Sequence, residues 1–208
     1  MKVFCATTNA GKLREFRGAA SRFGAVDLEI ELLPDLAQLP PCEETGSSFE
    51  ENAIQKAVHY SRHASGLVFA DDSGLEVAAL DGAPGVRSAR FAGADSTDEA
   101  NNRLLLARLA GVEDRRARFV CVIALASQER VVATFRGTVE GIILDAPRGG
   151  GGFGYDPLFF YEPFGCTFGE ATAGQKLEIS HRGRALRALL EYFRDRGKAV
   201  RNGGRFSR

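Results

Sequence analysis

The chain has little cysteine, little histidine and no surplus charge of either sign. Its four cysteines, Cys5, Cys42, Cys121 and Cys166, are widely separated, form no Cys-x-x-Cys pair and are accompanied by only three histidines. A zinc site is therefore not expected. Cys5 and Cys121 fall inside strand-like apolar runs, which suits reduced core thiols in a reducing compartment. Lys plus Arg and Asp plus Glu each number 27, so the formal net charge is zero. A polynucleotide binder needs a basic surplus to displace counterions from phosphates, so the balance argues against a nucleic acid polymer as partner. A local basic pocket for one small phosphorylated ligand stays open. The longest apolar run, Val120 to Ala126, is far too short to span a bilayer, and no membrane partner is expected. Met1-Lys2 leads directly into a strand pattern without a signal peptide, so the expectation is a soluble, cytoplasmic protein. Internal repeats are absent, as is the G-x-x-x-x-G-K-[ST] spacing of a Walker loop.

What is present is ordinary globular composition, 44% hydrophobic and 26% charged, over 208 residues, enough for one large or two-lobed domain. Lys2 to Ala6 reads as a strand, followed by the polar turn Thr7-Thr8-Asn9-Ala10-Gly11-Lys12. Leu13, Phe16, Ala20 and Phe23 then predict a helix to about Gly24, and the alternation over Val26 to Leu33 predicts a half-buried strand. Ser48 and Glu51 fit a capping box at the head of a helix carrying Asn52, Lys56 and Tyr60. Gly66 to Ala70 reads as a short buried strand ending on Asp71-Asp72-Ser73-Gly74. Ser96 and Glu99 fit a second capping box, ahead of a helix with Leu104, Leu105 and Leu109. Two long strands, Arg118 to Ala126 and Val131 to Leu144, are joined by a turn at Ser127 to Arg130. The last helix begins near Ser180 and buries Leu186, Leu189, Leu190 and Phe193, and a basic tail over 197–208 is expected to fray. Interspersed helices and strands indicate an α/β class.

Four stretches carry candidate chemistry. Successive strand side chains diverge, so Asp71 and Asp72 should point to opposite faces and only one should face a given site. A carboxylate there can hold a divalent cation or orient a water, or it can simply cap the next element. Hydroxyls, an amide, a glycine and a helix start over Thr7 to Lys12 can cradle a phosphate, with Lys12 as countercharge; an ordinary capped turn has the same composition. Gly149 to Gly154 satisfies G-x-G-x-x-G, but a strand-like segment follows where a dinucleotide fold needs a helix. A loop of this kind around Phe153 and Tyr155 can let a flat ring approach and stack, or can be a linker with core aromatics. Lys176 and His181-Arg182 near the start of the last helix oppose its dipole. They make sense either facing an oxygen-rich ligand or as a solvated basic face, as Arg184 and Arg187 are expected to be.

Taken in order, Thr7-x-Asn9-x-x-Lys12, Glu44-Thr-Gly46 with Glu51-Asn52-Ala53 and Lys56, Ala70-Asp-Asp-Ser-Gly74, Ala83-Pro-Gly85 with Ser88-Ala-Arg90, Gly152-Phe-Gly-Tyr-Asp-Pro157 and Ser180-His-Arg182 resemble the inosine triphosphate pyrophosphatase family, whose bacterial members are XTP/dITP diphosphatases. The resemblance covers residues 2 to 193. It implies a two-lobed α/β fold over 1–196, with an elongated mixed sheet flanked by helices, an active site in the cleft and a homodimeric state. It also implies magnesium-dependent hydrolysis of inosine, deoxyinosine and xanthosine triphosphates to monophosphate and pyrophosphate, which keeps deaminated purines out of DNA and RNA.

Carried over by position, Thr7, Thr8, Asn9, Ala10, Gly11 and Lys12 match the triphosphate loop. Glu44 and Asp72 match magnesium ligands, with Asp72 also the general base. Lys56, Ser73 and Lys176 match substrate contacts, and Phe153, Gly154, Tyr155, Asp156, His181 and Arg182 match the surroundings of the base. Thr8 departs from the pattern, because many relatives carry Gly there. A guanidinium has donors only, so Arg182 can bond a 6-oxo group but not a 6-amino group, which provides a basis for rejecting adenine. Two alternatives remain at this stage: a related pyrophosphatase with another base preference, and a nucleotide sensor without catalysis.

Overall fold

A β-strand of eleven residues, β3 (Leu67–Val77), organises the chain, and the local sequence does not announce its length. A computed structural model describes the protein over residues 2–23 and 28–203. The first three residues of β3 pair in parallel with β1 (Lys2–Cys5), which in turn pairs in parallel with β2 (Glu29–Leu32). Its whole length pairs antiparallel with β4 (Arg116–Ser127), and β4 forms a long hairpin with β5 (Arg130–Ile143). Short strands β6 (Phe159–Tyr161) and β7 (Cys166–Thr167) complete a seven-stranded mixed sheet in the order β2-β1-β3-β4-β5-β6-β7. The α/β class read from the sequence is the one observed. The hairpin turn is the one anticipated: Gln128 and Glu129 both take positive φ (48° and 62°), as a two-residue turn matching strand twist requires.

Period-two alternation divides the core. Phe69, Cys121, Ile123 and Leu125 face α1 (Ala10–Arg22), α4 (Ala173–Ile179) and α5 (His181–Gly203). Val68, Ala70, Val122 and Ala124 face α2 (Phe49–Ser61) on the other side. A third cluster, with Leu75, Phe119, Val139 and Phe159, packs under α3 (Asp98–Arg108) toward the far end of the sheet. The Ser48–Glu51 capping box is present, with both reciprocal bonds formed.

Several boundaries differ from expectation. β3 does not stop at Asp71-Asp72; it runs through Ser73 and Gly74, because β4 offers ten consecutive pairing positions, Ala117 to Ala126. Neither aspartate caps anything. The cap of α3 is Thr97, whose side chain accepts from the Ala100 amide, while Ser96 Oγ donates to Asn101 Oδ1 at 3.0 Å. Lys176 sits on the separate helix α4, opened by a Thr172–Gln175 capping box that the sequence reading passed over. The backbone of α5 stays helical to Gly203, into the segment expected to fray; residues 204–208 lie outside the described residues, as do 24–27 at the start of the expected second strand. Among the described residues no helix is long and apolar enough to cross a membrane.

Candidate active site

The site owes its existence to the shortness of β1. Val3, Phe4 and Cys5 pair with Leu67, Val68 and Phe69, and there β1 ends. Beyond Phe69 no described strand pairs with that side of β3 until the isolated bridge between Glu76 and Pro84. Asp71, Asp72, Ser73 and Gly74 therefore lie on an open edge, and a cavity of about 660 Å³ spreads in front of them. That volume suits a small-molecule ligand. The two carboxylates do diverge to opposite faces, yet both line this cavity, because an unpaired strand edge can be approached from either side.

On the α1 face, Asp71 Oδ2 pairs with Lys12 Nζ at 2.9 Å and accepts from Ser73 Oγ at 3.2 Å. Lys12 belongs to the first turn of α1, whose start is fixed by Asn9: its side chain accepts from the Lys12 amide at 3.0 Å. Thr7 Oγ1 in turn accepts from the Asn9 amide at 3.3 Å. The polar turn is thus both things the sequence allowed, a capped helix start and a cavity wall; Thr7, Thr8, Asn9 and Lys12 line it, whereas Ala10 and Gly11 do not. Burial pushes Asp71 up, but Lys12, with Arg182 and Lys56, outweighs it and holds the carboxyl below its ordinary range.

On the α2 face, Lys56 Nζ bridges Asp72 Oδ1 at 3.1 Å and Glu44 Oε2 at 3.2 Å. Asn52, one helical turn before Lys56, donates to Asp72 Oδ2 at 3.2 Å. Here burial wins: it raises Asp72 above its ordinary value despite Lys56 and Lys12, and the Glu44 charge adds to the rise. Lys56 is itself held protonated: burial opposes the charge, but Asp72, Asp71 and Glu44 together prevail.

Linked to Asp71 through Ser73 is a buried ionic network. Arg182 Nη2 donates to Ser73 Oγ at 3.1 Å, and Nη1 pairs with Glu15 Oε2. Lys176 Nζ pairs with Glu15 Oε1 at 2.7 Å and Asp156 Oδ2 at 2.6 Å, and Asp156 also accepts from the Phe153 amide at 2.8 Å. Lys176, Arg182 and Asp156 are all buried, which refutes the solvated-face reading. Lys176 does not reach the cavity; it stands behind the Phe153 ring, 4.9 Å from its centroid, with the Arg182 guanidinium 5.1 Å from the same centroid. His181 stacks on Phe119 at 4.7 Å, and burial with the nearby cations Arg182, Lys176 and Lys12 pushes its pKa well below the usual value, so the ring is neutral. Arg182 Nε and His181 Nδ1 are buried with no hydrogen-bond partner among the described residues.

Phe153 and Tyr155 part company. The Phe153 ring packs so close to α1 that a Cβ on Gly11 would sit 2.9 Å from it. Tyr155 is a core residue, buried, with its hydroxyl donating to Ser88 O at 2.8 Å. Tyr155 contributes to the cavity wall, but its burial in the third core cluster fits the core reading. Arg184 donates to Thr138 O at 2.7 Å and Arg187 lies over Phe23 at 4.3 Å, both peripheral. Glu15 is the residue sequence reasoning missed: it joins Lys176 to Arg182, and burial is outweighed by those two cations, which hold its carboxyl below the ordinary range.

The profile of the Ham1 family matches residues 3–192. A dITP/XTP pyrophosphatase of Syntrophobacter fumaroxidans is 51% identical over 188 residues, covering 90% of this chain and 80% of that one. The solved structure of a Staphylococcus aureus Ham1 protein superposes with a TM-score of 0.83 at 40% identity, covering 94% of this chain and all of that one. A Mycobacterium abscessus structure described as a nucleoside-triphosphatase, or dITP/XTP pyrophosphatase, gives 0.71 at 42% identity, covering 91% and 97%.

Proposed function

This chain belongs to the Ham1 family, and from that premise we infer that it hydrolyses deaminated purine nucleoside triphosphates, dITP, ITP and XTP, to monophosphate and pyrophosphate. It is a nucleoside triphosphate diphosphatase, a hydrolase of nucleotide metabolism. The observation that carries the reading is one cavity bounded by two lysine–aspartate pairs at one side and a buried, donor-rich arginine at the other. Polyphosphate needs countercharge; a 6-oxopurine needs a donor.

Magnesium is the proposed cofactor. Glu44 and Asp72 converge on one ammonium from about the same distance, so their spacing suits a shared cation. Among the described residues no set of three His, Cys, Asp or Glu side chains forms a closed metal cage. Magnesium is commonly held that way, by one or two carboxylates with water and substrate phosphates completing the shell. Bound there, the ion supplies charge that offsets the phosphate oxygens. Lys12 and Lys56 exchange their carboxylate partners for phosphate, which neutralises charge as it shifts onto the leaving pyrophosphate. Asp72, with its pKa raised by burial, accepts the proton of the attacking water as the bond between the α-phosphorus and the bridging oxygen breaks.

At the other end, the Nε donor of Arg182 and the neutral ring of His181 offer bonds that nothing in the described chain takes up. A 6-oxo group satisfies such a donor; the 6-amino group of adenine leaves it unpaired, which costs ATP affinity. The homodimeric state and cytoplasmic location are part of the proposal, the latter supported by four free thiols.

The test is incubation with Mg²⁺ and ITP, XTP, GTP or ATP, with pyrophosphate and orthophosphate assayed separately. Pyrophosphate from ITP and XTP, with little from ATP, is expected. Orthophosphate alone would mean that the terminal bond is cut and the site has been read wrongly.

A further inference from the structure

At the rim of the cavity, which Asp98 helps to line, α3 holds the segment carrying Phe153 by a two-point grip on Gly154. Asp98 and Asn102, four residues apart and so on one face of α3, bond both backbone groups of that glycine. Asp98 Oδ2 accepts from the Gly154 amide at 2.6 Å, and Asn102 Nδ2 donates to the Gly154 carbonyl at 3.0 Å. Gly154 itself takes φ +63°, a conformation that side chains disfavour and that an unrestrained glycine would leave readily. The residues beside it are tied elsewhere, Tyr155 to Ser88 O and Asp156 to Lys176. Phe153 is tied through its amide to Asp156 Oδ2 at 2.8 Å, but its ring makes no hydrogen bond, so the backbone turn at Gly154 shares in setting where the ring lies.

We propose that Asp98 and Asn102 are positioning residues for recognition of the purine, fixing Gly154 and through it the Phe153 ring between α1 and the Arg182 guanidinium. The inference rests on the function proposed above. α3 is anchored to the same wall by Asn101, which accepts from the Ala92 amide at 2.8 Å and donates to Ala89 O at 3.2 Å. The grip therefore ties the ring to the strip that also carries Ser88, whose hydroxyl receives the Leu75 amide of β3 at 2.9 Å. In this way the ring's placement is referred back to the strand that bears the two aspartates. Losing the grip frees the ring without touching Asp72, Lys12 or Lys56, so the penalty falls on binding rather than on the chemical step.

The experiment compares wild type with Asp98→Ala, Asp98→Asn and Asn102→Ala, measuring KM and kcat for ITP and hydrogen–deuterium exchange of the peptide spanning 150–157. Asp98→Ala is expected to raise KM about tenfold, the weight of one charge-assisted hydrogen bond, with kcat within about twofold, and to speed exchange at that peptide. Asp98→Asn, which keeps an acceptor oxygen, restores most of the KM, and Asn102→Ala falls between. An unchanged KM in Asp98→Ala, or a loss confined to kcat or thermal stability, overturns the proposal. The two readings fail separately. A wild type silent on ITP, with exchange at 150–157 still slowed by Asp98, sinks the proposed function and leaves the grip; normal turnover with exchange indifferent to Asp98 sinks the grip alone.

Discussion

The two sides of the cavity are built from the same residue types, carboxylates and cations, but to opposite plans. On the proposed phosphate side Lys12 and Lys56 line the cavity beside their carboxylate partners, of which Glu44 is 31% exposed and Asp71 only 1%. On the base side the charges close upon one another: Glu15 serves two cations, Asp156 serves Lys176 and a backbone amide, and Arg182 is 5% exposed. Pairs of the first kind can trade partners when a polyanion arrives. Those of the second hold each carboxylate between two donors, so they keep a fixed shape. On the function proposed above, the catalytic groups stand where exchange is easy and the selective ones where it is not.

The largest effect that would sharpen this contrast is Asp72→Asn, expected to reduce pyrophosphate release by roughly a thousandfold while leaving thermal unfolding almost unchanged. Near-normal turnover would remove Asp72 from the chemistry. Glu15→Ala should do the reverse, costing about 3 kcal/mol of stability in denaturant unfolding, because it leaves Arg182 buried without a carboxylate partner. If that variant unfolds like wild type, the base-side network is not the rigid element.

His181 gives a pH signature of the same burial. Its folded pKa is depressed, so below the unfolded value near 6.5 the unfolded chain takes up a proton that the native state refuses. Stability should therefore fall as pH drops below about 6.5, by up to about 1.4 kcal/mol per pH unit from this group, and the slope should flatten in His181→Gln. Equal slopes would mean that the ring is protonated in the fold. The smallest stability effect belongs to Glu44→Gln on the phosphate side, less than about 1 kcal/mol, because Lys56 keeps Asp72. The same variant should need at least roughly tenfold more Mg²⁺ for half-maximal activity; an unchanged requirement would take Glu44 out of the metal site.

The phosphate side was legible in the sequence because its residues are local: Asn9 caps the helix that carries Lys12, and Asn52 and Lys56 share one face of α2. Where the sequence misled, long-range pairing had overridden local preference. Asp-Asp-Ser-Gly reads as a turn, yet β4 supplies an unbroken partner and the strand continues. Glu15 is invisible in sequence, since an acid on a basic amphipathic helix reads as a solvent-facing charge and its partners lie more than 160 residues away. Lys176 was read as flanking the last helix and its own helix was missed, because seven residues of α4 give too short a window for periodicity to register. Tyr155 and Phe153 look alike in sequence and both line the cavity, but Tyr155 is also packed into the core and fixed there by its hydroxyl donating to Ser88 O.

The open edge of β3 has one more consequence. A four-residue stretch of strand with one edge unpaired in the middle of a sheet is an invitation to a foreign strand, the route by which sheets join edge to edge and aggregate. Here that stretch carries two adjacent acids, with lysines folded over them and a glycine pressed against Ser88, whose hydroxyl oxygen would lie 2.2 Å from any Cβ placed there. A neighbouring chain would have to bury those charges to pair. The groups that equip the cleft for chemistry thus also keep it from being read as a docking strip for another polypeptide.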